Sequence, residues 1–388
     1  MRGEIGGHRF PGRSSRGCLT GMTILLTGAT GFLGMEFLAR AVQDDNADVI
    51  CVVRAEDDAH AARRLDATLS SLYGDDVPGA VSRLTAVAGN LELPGLGLGH
   101  AATALVLAHV TRIVHSAASI TFDLPLDEAW AVNTSGTAHV LGIAERLHAL
   151  GRLERHVHVS TAYVAGRHEG TVAEEDRTIA GPPRNTYEQT KREAEALVHA
   201  AADAGLPVVI VRPSIVVGDS RTGWTPAFNV LYWPLRALSR GLLDTVPADP
   251  AGLVDVVPVD YVADAIAYLA TTPEPVGGTY HLTAGPDVPT IEDLMDMACA
   301  ALDCPRPEVH PPLAHVDADG VEHEAGVFVP YFDVFSHFDD ARARAVLEPA
   351  GITCPPLGDY FEQLVAYAQA ARWGKAGVPR ASAAGVHS

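Results

Sequence analysis

Lysine is almost absent from this sequence: of 28 basic residues only two are lysines, Lys191 and Lys375. Basic charge as a whole is short, because 48 acidic residues leave a formal net charge of -20. A chain that binds a phosphate backbone needs a basic footprint. No long stretch here supplies one, so nucleic acid is not an expected partner. Long apolar runs are missing too. None reaches the 18 residues needed to span a bilayer, and the first twenty residues are rich in Gly and Arg without an apolar signal core. Cysteine is sparse and odd in number. Cys18, Cys51, Cys299, Cys304 and Cys354 show no Cys-x-x-Cys spacing, which argues against a disulfide framework or a zinc site and reads as reduced thiols in a cytoplasmic protein. The 17 histidines contain no His-Glu-x-x-His motif, and His156 and His158 alternate along a strand pattern. No metal site is expected.

What is present suffices for a large core. The 388 residues are 47% hydrophobic, enough for one large domain or two unequal ones. Residues 1 to 21 read as a disordered leader, and Met22 opens the first strand pattern. From Thr23 the chain runs through an apolar strand, a Gly-rich turn, an amphipathic helix and a second strand (Asp48 to Val53), the opening of a βαβ unit. Strand-like runs follow at Leu84 to Ala88, Arg112 to His115, His156 to Ser160 and Pro207 to Arg212. They are short and bounded by turn residues, as parallel strands buried on both faces are. The expected fold is α/β, a Rossmann doubly wound parallel sheet over residues 22 to 213. Residues 214 to 388 are expected to build mainly a smaller C-terminal substrate-binding α/β lid, with segments returning to the sheet.

The turn after the first strand reads Thr27-Gly28-Ala29-Thr30-Gly31-Phe32-Leu33-Gly34. Glycines at this spacing allow a tight turn, close approach of backbone amides to a pyrophosphate, and close packing of helix on strand. A dinucleotide is expected there. Where an acidic residue would bind a ribose 2'-hydroxyl, the second strand ends in Arg54. A guanidinium pairs with a 2'-phosphate that a carboxylate would repel, so NADP(H) is favoured over NAD(H). Arg63 and Arg64 on the next helix can assist or simply face solvent. Downstream, Tyr187 and Lys191 stand four residues apart in Asn-Thr-Tyr-Glu-Gln-Thr-Lys. At that spacing both lie on one helical face, and the ammonium is expected to lower the tyrosine pKa toward useful acid/base chemistry.

Together the glycine turn and the Tyr187/Lys191 pair resemble the extended short-chain dehydrogenase/reductase superfamily. Longer stretches are similar to its thioester-reductase and fatty acyl-CoA reductase branch, which includes reductase domains of carboxylic acid reductases and nonribosomal peptide synthetases. These are Gly89 to Leu98, Val114-His115-Ser116-Ala117-Ala118, Asn133 to Thr137, Val159 to Gly166 and Arg212 to Trp224. The resemblance implies that Thr161 is the catalytic Ser/Thr, Tyr187 the acid/base, Lys191 the ribose-binding lysine and Asn133 the helix asparagine. It also implies that Ala117 and Ala118 line the dinucleotide and that Pro213 and Ser214 lie near the nicotinamide. Asn90, with Leu91 after it, stands where family members usually place an Asp that contacts the adenine amino group; an amide oxygen can accept the same bond. Ser160 and Thr161 point to opposite faces of a strand, so only one reaches the site, and Thr161 has the family register. Tyr163 reads as core.

The implied reaction is reduction of an acyl thioester, on CoA or on an acyl or peptidyl carrier protein, to an aldehyde, with further reduction to an alcohol left open. An alcohol or ketone oxidoreductase, a sugar-nucleotide epimerase and a non-catalytic NADP(H) sensor remain alternatives, the sensor having no need of Tyr187 and Lys191. Phe228, Leu231, Tyr232 and Trp233 fit either an acyl channel or core. The segment Val256 to Asp264 is expected to dock the lid on the sheet, and Pro305 to Gly326, rich in Pro, His and acidic residues, reads as a loop. Monomer and homodimer are both open.

Overall fold

In the computed structural model, which describes residues 21–43, 47–177, 181–228, 230–311, 331 and 334–383, the apolar runs become a seven-stranded sheet. The first five strands of the chain belong to it: β1 (Met22–Thr27), β2 (Ala47–Arg54), β3 (Leu84–Gly89), β4 (Arg112–His115) and β5 (Arg155–Val159). Short strands β6 (Glu169–Val172), β8 (Ile215–Val217), β9 (Thr245–Pro247) and β10 (Val256–Pro258) lie outside it, whereas β7 (Val208–Pro213) and β11 (Gly278–Leu282) complete it. The order across the sheet is β11-β7-β5-β4-β1-β2-β3, with every pair parallel. The chain therefore winds outward from β1 to β3 and then crosses back to β4 on the other side. Between β1 and β4 lies the switch point at which ligands bind in such sheets.

Two-residue alternation sends the strand side chains into two apolar layers. Ile24, Leu26, Val157 and Val209 meet helices α1 (Phe32–Gln43), α2 (Asp58–Tyr73) and, later in the chain, Val259–Thr271. Leu25, Ile50, Ile113 and Ile210 meet α3 (His100–His109), α5 (Gly136–Ala149) and α6 (Thr186–Asp203). A one-turn helix α4 (Leu126–Trp130) runs into α5. Helix α6 starts at Asn185, whose side chain accepts a 2.9 Å hydrogen bond from the Glu188 amide, a cap that fixes where the following Tyr187 begins its turn.

The C-terminal part forms its own core around α7 (Tyr232–Leu238), α9 (Ile291–Leu302) and the helix Phe361–Ala370. Leu231 and Tyr232 belong to that core, and the Tyr232 hydroxyl accepts from the Gly218 amide at 2.9 Å. The segment Val256 to Asp264 pairs β10 with β8 and then enters α8 (Val259–Thr271), which packs on α1. Two features depart from the sequence reading. Strand β11, a segment of the C-terminal part that returns to the main sheet, forms one edge of it where the sequence reading names no strand run, and Glu308–His310 within the expected loop is strand β12, paired with β9. Residues 312 to 326 of that loop and residues 1 to 20 of the expected leader lie outside the described residues.

Candidate active site

The glycine turn is built by backbone contact. Gly28 has φ +83°, and a Cβ on it would come within 2.7 Å of the Ala117 amide nitrogen. A Cβ on Gly34 would lie 2.0 Å from the Gly28 carbonyl oxygen, so the first turn of α1 presses directly on the loop. Gly31 donates to the Gly28 carbonyl at 2.9 Å and Met35 to the Gly31 carbonyl at 2.8 Å, which aims the start of the helix at the turn.

A cleft of about 670 Å³ opens at the C-terminal ends of β1 and β4, lined on one wall by Gly28, Thr30, Gly31, Ala117 and Ala118. Arg54 and Arg64 occupy one end, with Asn90 and Leu91 beside them. The Arg64 guanidinium donates to the Arg54 carbonyl, which draws the two residues together. Arg63 is exposed and outside the lining. The Asn90 side-chain oxygen accepts from the Glu92 amide at 3.0 Å and retains a second lone pair. Ser119, Leu124, Asp127 and Glu128 also line the cleft, which the sequence motifs do not reveal.

Several candidates stand apart from this lining. Phe32 packs edge-on against Trp224 at 6.3 Å between ring centroids, Leu33 packs against the sheet core, and Gly34 is a packing position. Pro213 ends β7, and Ser214 is buried with its amide bonded to the Leu282 carbonyl at 3.1 Å, which ties β7 to β11.

Tyr187, Lys191, Thr161 and Asn133 form a second group. Thr161 follows β5, and its hydroxyl oxygen accepts from the Tyr163 amide at 3.2 Å. Its own proton is then free to donate to Tyr187, a bond that favours the phenolate. Burial outweighs that bond and pushes the Tyr187 pKa up to about 12. Lys191 is buried, its ammonium donates to the Val159 carbonyl at 2.7 Å, and burial lowers its pKa to about 8. The i, i+4 spacing leads one to expect that Lys191 lowers the Tyr187 pKa. The structure reverses the sign of the net shift, because desolvation of the phenol dominates and the opposing hydrogen bond comes from Thr161.

Asn133 lies in a π turn, Ala131–Ser135, that joins α4 to α5. Its side chain accepts from the Ser119 amide at 2.8 Å and donates to the Ser119 carbonyl at 3.1 Å and to Thr190 Oγ1 at 3.0 Å. Asn133 thus bridges the cleft wall and α6. Thr186 closes the other end of the same loop by donating toward the Phe122 and Leu124 carbonyls at 3.2 and 2.9 Å. Phe122 lies 5.6 Å from the Tyr187 ring and stacks on Tyr331 at 5.1 Å. Tyr163 is buried among these aromatic rings, as core. The Ser160 hydroxyl is near enough to Glu195 to favour its carboxylate, so it and Thr161 serve different sides of the strand. Glu195, one turn beyond Lys191, is clamped by Arg212 at 2.6 to 3.2 Å and held at about 2 by its hydrogen-bond and charge partners against the cost of burial. Among the described residues, no group of three His, Cys, Asp or Glu side chains is placed to hold a metal ion, and no helix is long and apolar enough to cross a membrane.

A family model described as Male sterility protein matches residues 26–266. A linear gramicidin synthase polypeptide of Brevibacillus parabrevis is 30% identical over 359 residues, covering 86% of this chain and 7% of that protein. The isonitrile lipopeptide synthase of Streptomyces coeruleorubidus is 34% identical over 268 residues, covering 66% of this chain and 17% of the synthase. This chain thus spans a small fraction of both. Among solved structures, the terminal R domain from the myxalamid PKS-NRPS biosynthetic pathway superposes with a TM-score of 0.78 at 27% identity, covering 94% of each chain. The chain belongs to the male sterility protein family, in the extended short-chain dehydrogenase/reductase superfamily alongside nonribosomal peptide synthetase reductase domains and fatty acyl-CoA reductases, and is a nicotinamide-dependent oxidoreductase.

Proposed function

We propose that the chain reduces an acyl thioester to an aldehyde with NADPH, using Thr161, Tyr187 and Lys191 held in place by Asn133. The observation that carries this reading is a shared wall. Leu124 lines the dinucleotide cleft, and its carbonyl is bonded by Thr186, the residue before Tyr187. A carbonyl placed between cleft and tyrosine would therefore meet both.

The residues present fit the cofactor. Any side chain at Gly28 would strike Ala117, so the turn is kept as bare backbone where a pyrophosphate could approach. Thr30, Gly31, Ala117 and Ala118 would hold the dinucleotide along this wall, and Arg54 with Arg64 would take a 2'-phosphate through charge-assisted bonds. When bound, NADPH supplies the hydride. The chain's own residues supply the protons and the electrostatics. Tyr187, kept protonated by burial, donates to the carbonyl oxygen as negative charge grows there. With substrate bound, the Thr161 proton would turn from Tyr187 to the same carbonyl oxygen, and one fixed donor of this kind contributes roughly 2.7 to 4 kcal/mol to the transition state. Lys191 would hold the ribose while its charge remains anchored to the Val159 carbonyl. The hemithioacetal formed on the substrate expels its thiol and leaves the aldehyde; a second reduction would give the alcohol.

The region from Ser214 onward would build the substrate side, with Tyr331 and Phe122 beside Tyr187. The names of the relatives support a carrier-bound acyl or peptidyl chain as one substrate source, with acyl-CoA as the other. One solved neighbour of the same fold is a thiolation-reductase di-domain. The test follows NADPH consumption and free thiol together across a panel of acyl-CoAs and acyl carrier proteins. Stoichiometric thiol release that disappears in Tyr187→Phe supports the reading. Absence of turnover on every thioester, with NADPH still bound, would overturn it.

A further inference from the structure

The proposed reaction gives no task to His115, a fully buried side chain beside the cleft. His115 is the last residue of β4, and both of its ring nitrogens have hydroxyl partners. Nδ1 lies 2.7 Å from Thr27 Oγ1, and Nε2 lies 3.0 Å from Thr137 Oγ1. Each hydroxyl has a further bond. Thr27 Oγ1 accepts from the Ala117 amide in the cleft wall at 3.4 Å. Thr137 Oγ1 donates to the Asn133 carbonyl at 2.7 Å.

A hydroxyl carries one proton, and this fixes the imidazole. Thr137 gives its proton to Asn133 and must therefore accept from Nε2, which makes Nε2 the protonated nitrogen. Nδ1 then holds a lone pair and accepts the proton of Thr27. Every bond points the same way, from the Ala117 amide through Thr27, His115 and Thr137 to the Asn133 carbonyl. At Asn133 a second run begins. Its side-chain amide donates to Thr190 Oγ1, whose own proton goes to the Thr186 carbonyl at 2.8 Å or the Tyr187 carbonyl at 3.1 Å.

We infer that His115, as the neutral Nε2–H tautomer, is a positioning residue that ties the wall of the dinucleotide cleft to the Asn133 turn and through it to the first turn of α6. The inference rests on the reading that Tyr187, in that turn, meets the reacting carbonyl. An imidazolium would donate from both nitrogens and break the line at Thr27. The surroundings oppose that charge. Burial comes first, followed by Lys191 and His156, and together they hold the pKa well below the ordinary histidine value. The ring facing it at 5.3 Å is another buried imidazole, His158, and the hydroxyls of Thr27 and Thr137 cannot compensate a cation as a carboxylate would.

The test has one arm that does not depend on turnover. With ring-labelled histidine, and His115 assigned by loss of its signals in His115→Gln, the imidazole nitrogens should show the neutral Nε2–H tautomer. That form should persist from about pH 5.5 to about 8.5, and the resonances should shift when NADP+ is added, because the Ala117 amide heads the line. An Nδ1–H tautomer, titration near the ordinary value, or no response to NADP+ overturns the inference. The second arm is kinetic. Thr137→Val should lower kcat on an acyl-CoA about tenfold, roughly 1.4 kcal/mol, and change the NADPH Kd less than twofold, whereas Thr137→Ser keeps the hydroxyl and should restore kcat. Thr27→Val combined with Thr137→Val should cost little more than the worse single change, because one line is cut twice. Fully multiplicative losses would mean independent local bonds and overturn it. Failure of the wild-type chain to turn over any thioester would count against the proposed reaction, while the spectroscopic arm still decides the role of His115.

Discussion

The two ends of the site are held together by opposite means. At the glycine turn the contacts are between backbones, with Gly28 against Ala117 and Gly34 against the Gly28 carbonyl. At the Tyr187 end they are made by side chains, with Asn133 and Thr186 bonding the neighbouring loop and turn to α6, Thr190 bonding within it, and Phe122 covering the tyrosine ring. The first end has no room for an added atom, and the second has no spare partner to lose. Damage at one should appear in cofactor affinity, and damage at the other in turnover.

The largest expected effect is at the side-chain end. Tyr187→Phe keeps the ring against Phe122 and removes only the acid, so kcat should fall by roughly 10²- to 10⁴-fold while the NADPH Kd, read by fluorescence titration, stays within about twofold. A matching loss in Kd would break the separation. Next comes the backbone end. Gly34→Ala places a methyl 2.0 Å from a carbonyl oxygen, an overpacking that costs on the order of 1 to 3 kcal/mol, so the NADPH Kd should rise about tenfold or more. Calorimetry of the variant with and without NADPH checks it. Smaller still is Arg54→Ala, which should lower the preference for NADPH over NADH by about tenfold, the value of one charge-assisted bond, with kcat on saturating cofactor unchanged. An unaltered ratio would assign the selection elsewhere, with Arg64 the first candidate.

The mildest effect is a pH profile. Lys191 has a pKa of about 8 in the folded chain against an ordinary value of 10.5. If its ammonium holds the ribose, kcat/KM should fall as pH rises through about 8. Stability should move the other way over the same range. Between the folded and unfolded values the unfolded chain binds the extra proton, so stability rises with pH. Activity and Tm that decline together above pH 8 would contradict this assignment.

Much of the glycine end was legible in the sequence because its determinants are local. Three glycines within seven residues, and an arginine at a strand end, carry the information without help from the rest of the chain. The i, i+4 spacing likewise placed Tyr187 and Lys191 on one helical face. The ionisation of that pair was not legible, since burial by distant segments outweighs the one charge the spacing reveals. Phe122 and Tyr331 were missed for the same reason, as their bonds to Thr186 and to the Asn185 cap cross 64 and 146 residues of chain. His115 was visible inside Val114-His115-Ser116, but its two hydroxyl partners are 88 and 22 residues away in sequence. Strand β11 was missed because the run Gly278 to Leu282 opens with Gly and Thr in a sheet otherwise rich in Val and Ile.

The most direct test of the account is a single turnover with NADPH deuterated at the transferable C4 position and an acyl-CoA that the chain consumes. The account predicts one deuterium at the aldehyde carbon for each free thiol released. Thiol released with an undeuterated carboxylic acid as the product would identify hydrolysis and contradict it.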